Sequence, residues 1–345
     1  MSLDIALPNV VTQAVVTQAE IQAAAALLRS GGTVAIPTET VYGLGADASN
    51  PQAVRQIFKI KGRPELHPLI VHIENASKLE KWARNIPDAA YLLAENFWPG
   101  SLTLILQRQP HVLNEITGGQ DTVGLRAPDH PVATALLHEF DGGIAAPSAN
   151  RFGRISPTTA QHVRDELGAQ VGMILEGGAC RVGLESTIVS LAHGAPVLLR
   201  PGGIAVEALE DVLKMKLAFV QPSSPSGWQS GTNKIRTSGM MDSHYAPVTP
   251  LELHRAEDMV LRVQHLTELK HKVVVLTLGR KIAELDPSIR QFAMPAQAEP
   301  YAHDLYAALH SLDQAGYDYL LLESPPASAV WLAVNDRLQR AAHKG

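Results

Sequence analysis

Two cations one residue apart, Lys61 and Arg63, close the segment Phe58-Lys59-Ile60-Lys61-Gly62-Arg63-Pro64, and the apolar run Leu69-Ile70-Val71-His72-Ile73 follows. A compact ammonium beside a forked guanidinium suits an anion with several oxygens, such as a polyphosphate. Taken alone, the stretch reads more simply as a solvated basic turn, with both cations exposed and contributing little to the core. The pattern recurs, however. Arg126 precedes Ala127-Pro128 and Arg200 precedes Pro201-Gly202, each at the exit of a predicted strand. Thr40, Ser148 and Ser186 place hydroxyls at comparable positions. Ligands of α/β proteins gather at strand ends, so the recurrence points to one shared site. Neither a Gly-x-x-x-x-Gly-Lys-Ser/Thr loop nor a Gly-x-Gly-x-x-Gly with a suitable acid is present, so a nucleotide would be held by other means.

The elements that must position these groups alternate between helix and strand. Thr17 and Glu20 form a capping-box pattern ahead of Ile21, Ala24, Ala25 and Leu28, with Gly31 as the stop. Residues 33–37 read as a buried strand and residues 38–45 as a polar turn with two glycines. Asn50 and Pro51 begin a helix that Gly62 ends and Pro64 forbids to continue. Further helices are expected over 78–84, 88–97 and from Pro131 to Asp141, and strands over 102–106, 122–126, 144–146, 173–175, 186–189 and 197–200. Ser156-Pro157 reads as N-cap and first position of a helix reaching Leu167, whose free amides would suit an anion. Past residue 219 the chain turns Pro/Ser/Gly-rich, then resumes with strands at 273–276 and 319–322 and helices over 301–316 and 327–342. That alternation predicts a small second α/β domain.

At 345 residues the chain has room for two domains. Its 46% hydrophobic and 18% charged content is that of an ordinary globular protein. A net charge of -5 argues against a surface given over to nucleic acid. One cysteine, Cys180, excludes an internal disulfide and a cysteine-rich zinc site. The fourteen histidines show no metal-ligand spacing. With no leader pattern and no apolar run of about 20 residues, the expected location is cytoplasmic, without membrane contact.

Five ordered motifs carry a family resemblance: residues 37–45, Lys61-Gly62-Arg63-Pro64 with Pro68-Leu69-Ile70-Val71-His72, Trp98-Pro99-Gly100-Ser101-Leu102-Thr103, Pro147-Ser148-Ala149-Asn150, and Glu185-Ser186-Thr187. The chain resembles the threonylcarbamoyl-AMP synthases, the YrdC-like family, in its longer two-domain form. The resemblance implies a twisted mixed sheet with flanking helices over 14–206, a linker or lid over the active site at 207–247, and a Rossmann-like α/β domain at 248–345. It implies that L-threonine and bicarbonate form an N-carboxylated threonine that attacks the α-phosphate of ATP. Pyrophosphate leaves, and threonylcarbamoyl-AMP passes to a tRNA threonylcarbamoyl transferase complex. By the same resemblance Lys61, Arg63, Ser148 and Asn150 are catalytic. Arg63, His67, Thr122, Ser148, Ser156, Arg200 and Tyr245 meet ATP; Thr40, His72, Arg126, Ala146 and Ser186 meet threonine. Position 67 is asparagine in many relatives. Mg2+ is expected to bridge the ATP phosphates with few protein ligands. The alternatives are a carbamoyltransferase handling carbamoyl-adenylates and a non-catalytic RNA-binding module. A weak RNA contact through a local basic groove is compatible with the net charge, although an aromatic share of 5% supplies few stacking platforms.

Overall fold

The computed structural model describes residues 16–219, 229–230, 233–237, 239 and 244–343. Among these, contacts divide the chain into a larger unit, residues 16–152 and 156–239, and a smaller one, residues 153–155 and 244–343.

The larger unit is built on a ten-stranded mixed sheet. Its strands are β1 (Val34–Ile36), β2 (Gly43–Asp47), β3 (Ile70–His72), β4 (Leu102–Gln107), β5 (Thr122–Arg126), β6 (Ile144–Ala145), β7 (Met173–Ile174), β8 (Thr187–Ser190), β9 (Val197–Arg200) and β10 (Ala218–Phe219), in the spatial order β10-β9-β8-β4-β5-β3-β6-β2-β1-β7. Beside it, β11 (Gln229–Ser230) and β12 (Asn233–Lys234) form an antiparallel ribbon. The helices are α1 (Gln18–Arg29), α2 (Pro51–Lys61), α3 (Leu79–Trp82), α4 (Asp88–Phe97), α5 (Asn114–Thr117), α6 (Pro131–Phe140), α7 (Ala160–Leu167) and α8 (Val206–Leu213).

Strand alternation decides which face each helix covers. Val71, Leu102, Leu104, Leu106, Val123, Leu125 and Val189 point into the main core, where they meet Val54, Ile57 and Phe58 of α2, Leu93 of α4, Val163 of α7 and Leu209 of α8. On the other face, α1 and α6 close only the end formed by β1 and β6, packing Leu28, Leu136 and Leu137 against Val34, Ile36 and Ile144. Between these ends, β3, β5, β4, β8 and β9 present an apolar floor of Ile70, Ile105, Ile188, Val197 and Leu199, and Ile235 lies against it.

Local chemistry accounts for most boundaries. Thr17 and Glu20 make the reciprocal capping box, and Asn50 caps α2, which ends in left-handed Gly62 (φ 61°). Three expectations change. Gly43 and Gly45 belong to β2 rather than a turn, because a Cβ at Gly45 would meet Ile36 Cδ1 at 2.5 Å and the Val34 carbonyl at 3.1 Å. Ser156 does not cap a helix: α7 starts at Ala160, and the Thr159 side chain accepts from the His162 amide. Residues 206–213 and 218–219, the start of the stretch read as a linker, are α8 and a strand paired to β9. Much of the remainder of that stretch, 220–228, 231–232, 238 and 240–243, lies outside the described residues.

The smaller unit is a four-stranded parallel sheet of β13 (Leu251–His254), β14 (Val273–Leu278), β15 (Arg290–Met294) and β16 (Tyr319–Glu323), ordered β13-β16-β14-β15. Its helices are α9 (Ala256–Glu268), α10 (Ala298–Asp313) and α11 (Leu332–Ala342). Met259, Val263 and Leu266 of α9 cover Val273, Val275 and Leu321. Tyr301 of α10 meets Trp331, just before α11, edge to face at 5.3 Å.

Gly143 measures how tightly the larger sheet is packed. A Cβ there would lie 2.2 Å from Trp82 Cζ2 and 2.7 Å from Val71 Cγ1. Overpacking of this kind costs about 1–3 kcal/mol, so Gly143→Ala should lower the denaturant midpoint without changing the slope; an unshifted midpoint would show that the indole yields freely.

Candidate active site

The partly uncovered sheet face carries the polar groups. Thr122, Gly124 and Arg126 alternate with core-facing Val123 and Leu125 along β5. A Cβ at Gly124 would touch Ile105 Cδ1 at 3.1 Å, Ile70 Cγ1 at 3.4 Å and Thr103 Cγ2 at 3.6 Å, which places these residues on the same face. The glycine therefore keeps the floor low. A recess there is bounded by Ile70, Ile105, Thr122, Gln120 and Arg236. The Arg236 amide donates to Gln120 Oε1 at 2.7 Å, Gln120 Nε2 donates to the Arg236 carbonyl at 3.0 Å, and Arg236 Nη2 reaches the Gly118 carbonyl at 2.7 Å.

At one side, the end of α2 delivers Lys61. Its Nζ donates to the carbonyls of Ser148 and Asn150 at 2.5 and 2.6 Å, while the Phe152 amide donates to the Lys61 carbonyl at 2.7 Å. Arg63 Nη2 donates to the Pro68 carbonyl at 3.0 Å, and the guanidinium lies 5.6 Å from the centre of the Phe152 ring. His67 meets the same ring edge to face at 5.3 Å. Lys61 and Arg63 are 3% and 6% exposed, which overturns the expectation of exposed turn residues: the left-handed Gly62 folds the chain back, and the loop after β6 covers both. Burial, then the Arg63 charge, pushes the Lys61 pKa well below the ordinary lysine value, against a smaller opposing effect of Glu166. Burial, then Arg63 and Arg236, lowers that of His67.

A second cluster centres on Arg126. Its Nε donates to the Gly100 carbonyl at 3.1 Å and its Nη1 to Thr40 Oγ1 at 2.9 Å; Nη2 lies 2.6 Å from Glu39 Oε1. Thr40 Oγ1 is also 2.9 Å from Thr38 Oγ1. His72 is the register partner of Arg126 on β3. Burial and the Arg126 charge hold its pKa down at about 3. Ala146 follows β6, its amide donating to the Ile70 carbonyl at 3.1 Å.

A third group surrounds Ser186, whose Oγ is 2.8 Å from Thr103 Oγ1 and accepts from Arg200 Nη2 at 3.2 Å. Arg200 also donates through Nε and Nη2 to the Ser186 carbonyl at 3.1 and 2.9 Å. Ser156 Oγ donates to Glu185 Oε1 at 2.5 Å. Every side chain expected to contact ligand, except that of Tyr245, lies in the larger unit. Lys61, Ser148 and Asn150 meet directly, as do Thr40 with Arg126 and Ser186 with Arg200. Tyr245 belongs to the smaller unit, where it is buried with φ 63°, Arg337 lying 5.2 Å from its ring and Tyr306 stacking at 5.9 Å.

Sequence reasoning assigned no role to Thr103, Phe152 or Glu185. Thr103 and Glu185 stand inside the quoted motifs, but a carboxylate in a cation-rich site has no evident task until its partner is seen. Among the described residues, no group of three His, Cys, Asp or Glu side chains could hold a metal ion. No described helix is long and apolar enough to cross a membrane.

Comparison with known proteins adds to this geometry. A family model described as telomere recombination, covering Sua5, YciO and YrdC, matches residues 26–202, and one described as threonylcarbamoyl-AMP synthase, C-terminal domain, matches residues 204–343. The chain is 43% identical over 330 residues to the threonylcarbamoyl-AMP synthase of Bacillus subtilis strain 168, covering 94% of this chain and 93% of that one. Identity to the synthase of Pyrococcus abyssi is 38% over 330 residues, 94% of each chain. The crystal structure of P. abyssi Sua5 complexed with L-threonine superposes with a TM-score of 0.85 at 38% identity, covering 94% of this chain and 95% of that one.

Two titration outcomes follow from the burial. Because the folded state holds the Lys61 proton less tightly than the unfolded chain, stability should rise as pH climbs from the folded pKa toward the unfolded value of about 10.4. As pH rises toward that unfolded value, wild type should therefore gain stability relative to Lys61→Met; parallel curves would show that burial does not strain the ammonium. For His72, ring resonances should not titrate between about pH 5 and 8, and a midpoint near the ordinary value of about 6.5 would contradict its burial beside Arg126.

Proposed function

The chain belongs to the threonylcarbamoyl-AMP synthase family, and from that premise we propose how its partly uncovered sheet face makes threonylcarbamoyl-AMP from L-threonine, bicarbonate and ATP. It is an enzyme of nucleotidyl transfer, and its product serves threonylcarbamoyladenosine modification of tRNA next to the anticodon. Threonine's amine first takes up bicarbonate as a carbamate, with loss of water. A carbamate oxygen then bonds to the α-phosphorus of ATP as the bond to the β-phosphate bridging oxygen breaks, and pyrophosphate departs with the electron pair.

The observation that carries the assignment of roles is the Lys61 ammonium held against the Ser148 and Asn150 carbonyls, with Arg63 beside it. A protonated amine has three donors. Two are spent on carbonyls, and the third suits a phosphate oxygen, where charge transferred to the leaving group needs stabilising. A polyphosphate there would also restore the lysine's preference for its proton. Arg63, His67, Thr122, Ser148, Ser156 and Arg200, all of the larger unit, would surround ATP. Thr40, His72, Arg126, Ala146 and Ser186 would take threonine, the Arg126 guanidinium receiving its carboxylate. Neutral His72 would add a hydrogen bond without charge. Magnesium would enter with ATP as part of the substrate, carried by phosphate oxygens. The described residues offer it no protein cage, and no step depends on one.

The match to the synthase C-terminal domain favours this reaction over a carbamoyltransferase. A cytoplasmic setting fits the free, buried thiol of Cys180. The downstream partner would be a tRNA threonylcarbamoyl transferase complex that accepts the threonylcarbamoyl group from the adenylate.

Pyrophosphate release from ATP should require both L-threonine and bicarbonate and should fall by about 100-fold or more in Lys61→Ala, the scale of losing one group that stabilises transition-state charge. L-serine should compete weakly, since it lacks only a methyl group. Release that is equal with and without threonine would overturn the assignment.

A further inference from the structure

Glu39 sits beside the proposed threonine carboxylate site, where a second negative charge would be expected to repel substrate. Its side chain is 1% exposed, and both of its oxygens are held. Oε1 accepts from Ser101 Oγ at 3.1 Å and lies 2.6 Å from Arg126 Nη2; Oε2 accepts from the Asp129 amide at 3.1 Å. Its backbone carbonyl accepts from the Val182 amide at 2.7 Å. Three chain segments distant in sequence, around residues 101, 129 and 182, therefore converge on this one residue.

The carboxylate is too firmly held to act as a base. Burial pushes its pKa up, but the Arg126 charge and the hydrogen bonds it receives outweigh that and leave it below the ordinary glutamate value. Its contact with Arg126 has an unusual feature. At 2.6 Å the two groups form a buried ion pair in which Nη2 is poorly aligned on the carboxylate, so Nη2 has no well-aligned acceptor among the described residues. Nε and Nη1 are committed to Gly100 and Thr40. The fork is thus turned by three fixed oxygens while the Nη2 donors remain available, which suits a carboxylate arriving from the sheet face.

Resting on the reading that Arg126 receives the substrate carboxylate, we propose that Glu39 is a positioning residue that fixes the plane of the Arg126 guanidinium and so sets affinity for the α-carboxylate of the amino-acid substrate. Orientation outweighs repulsion because the pair is buried, where an arginine that has lost its carboxylate can re-aim toward other acceptors.

The test compares wild type with Glu39→Gln, which keeps shape and removes charge, after thermal melts establish that both fold. L-Threonine binding is measured by calorimetry, and KM and kcat are measured separately for threonine and ATP. Glu39→Gln should weaken threonine binding by about 10- to 100-fold, the loss expected for a misaligned hydrogen bond to a charged group. Its kcat at saturating threonine and its KM for ATP should stay within about 3-fold of wild type. The preference for threonine over threoninamide, which lacks the carboxylate charge, should shrink by the same factor as the affinity. If Glu39→Gln fails to fold, Ser101→Ala decides: by removing one of the groups that hold Glu39, it should raise the threonine KM by about 3- to 10-fold and leave the ATP KM alone. Threonine affinity unchanged in a folded variant, or equal losses for ATP and threonine, would overturn the positioning role. A wild type that does not bind threonine would instead overturn the reading beneath it.

Discussion

Burial of cations is the constraint on which the site depends. Lys61, Arg63, Arg126 and Arg200 are each less than 7% exposed, although burying an ionised group without partners is prohibitive. The larger unit meets that demand with oriented backbone carbonyls: those of Ser148 and Asn150 for Lys61, Pro68 for Arg63, Gly100 for Arg126 and Ser186 for Arg200. Carbonyl dipoles satisfy donors without cancelling the positive charge, so the site remains attractive to an anion. Arg126 differs in having a buried carboxylate as well, and its proposed ligand is the carboxylate of an amino acid rather than a polyphosphate.

The same carbonyls tie chemistry to fold. Ser148 and Asn150 sit on the loop leaving β6, which also returns the Phe152 amide to Lys61. That loop has its position because Ala145 pairs with both Ala46 and Val71 in the sheet. Helices pack against the opposite face, whereas on this face α1 and α6 cover only the end formed by β1 and β6, and a recess bounded by Ile70, Ile105, Thr122, Gln120 and Arg236 lies over the floor. Gly124 keeps that space open, because any side chain there would stand on the floor.

Much of this was legible along the chain. Capping residues placed α1 and α2, and the break at Gly62-Arg63-Pro64 located the cation turn correctly. The recurrence of cations and hydroxyls at strand exits pointed to one site, and the structure places those residues in three clusters of the larger unit, around Lys61, Arg126 and Ser186. Local signals misled where tertiary contacts decide. Ser156-Pro157 has the composition of a helix start, but its hydroxyl serves Glu185 and the helix begins three residues after Pro157. The Gly43 and Gly45 pair resembles turn chemistry, yet both glycines are required by close strand packing. Residues 206–219 carry no strong pattern beyond an ordinary amphipathic helix, and their place in the larger unit comes from pairing with β9.

By itself the sequence determined what depends on neighbours within a few residues: capping, helix stops, strand alternation and the residue types available for anion chemistry. Its ordered motifs also determined the family. Tertiary structure alone decided how deeply Lys61 and Arg63 are buried, which carbonyls hold them, and that Glu39 faces Arg126. The side-chain contacts of Lys61 and Glu39, and that of Arg126 with Thr40, bring groups 62 to 90 residues apart in the chain within hydrogen-bond range, whereas the Pro68 carbonyl that holds Arg63 is only five residues away. Burial, and with it the direction in which Lys61 and His72 titrate, is a property of the assembled sheet and its covering loops, which no local spacing encodes.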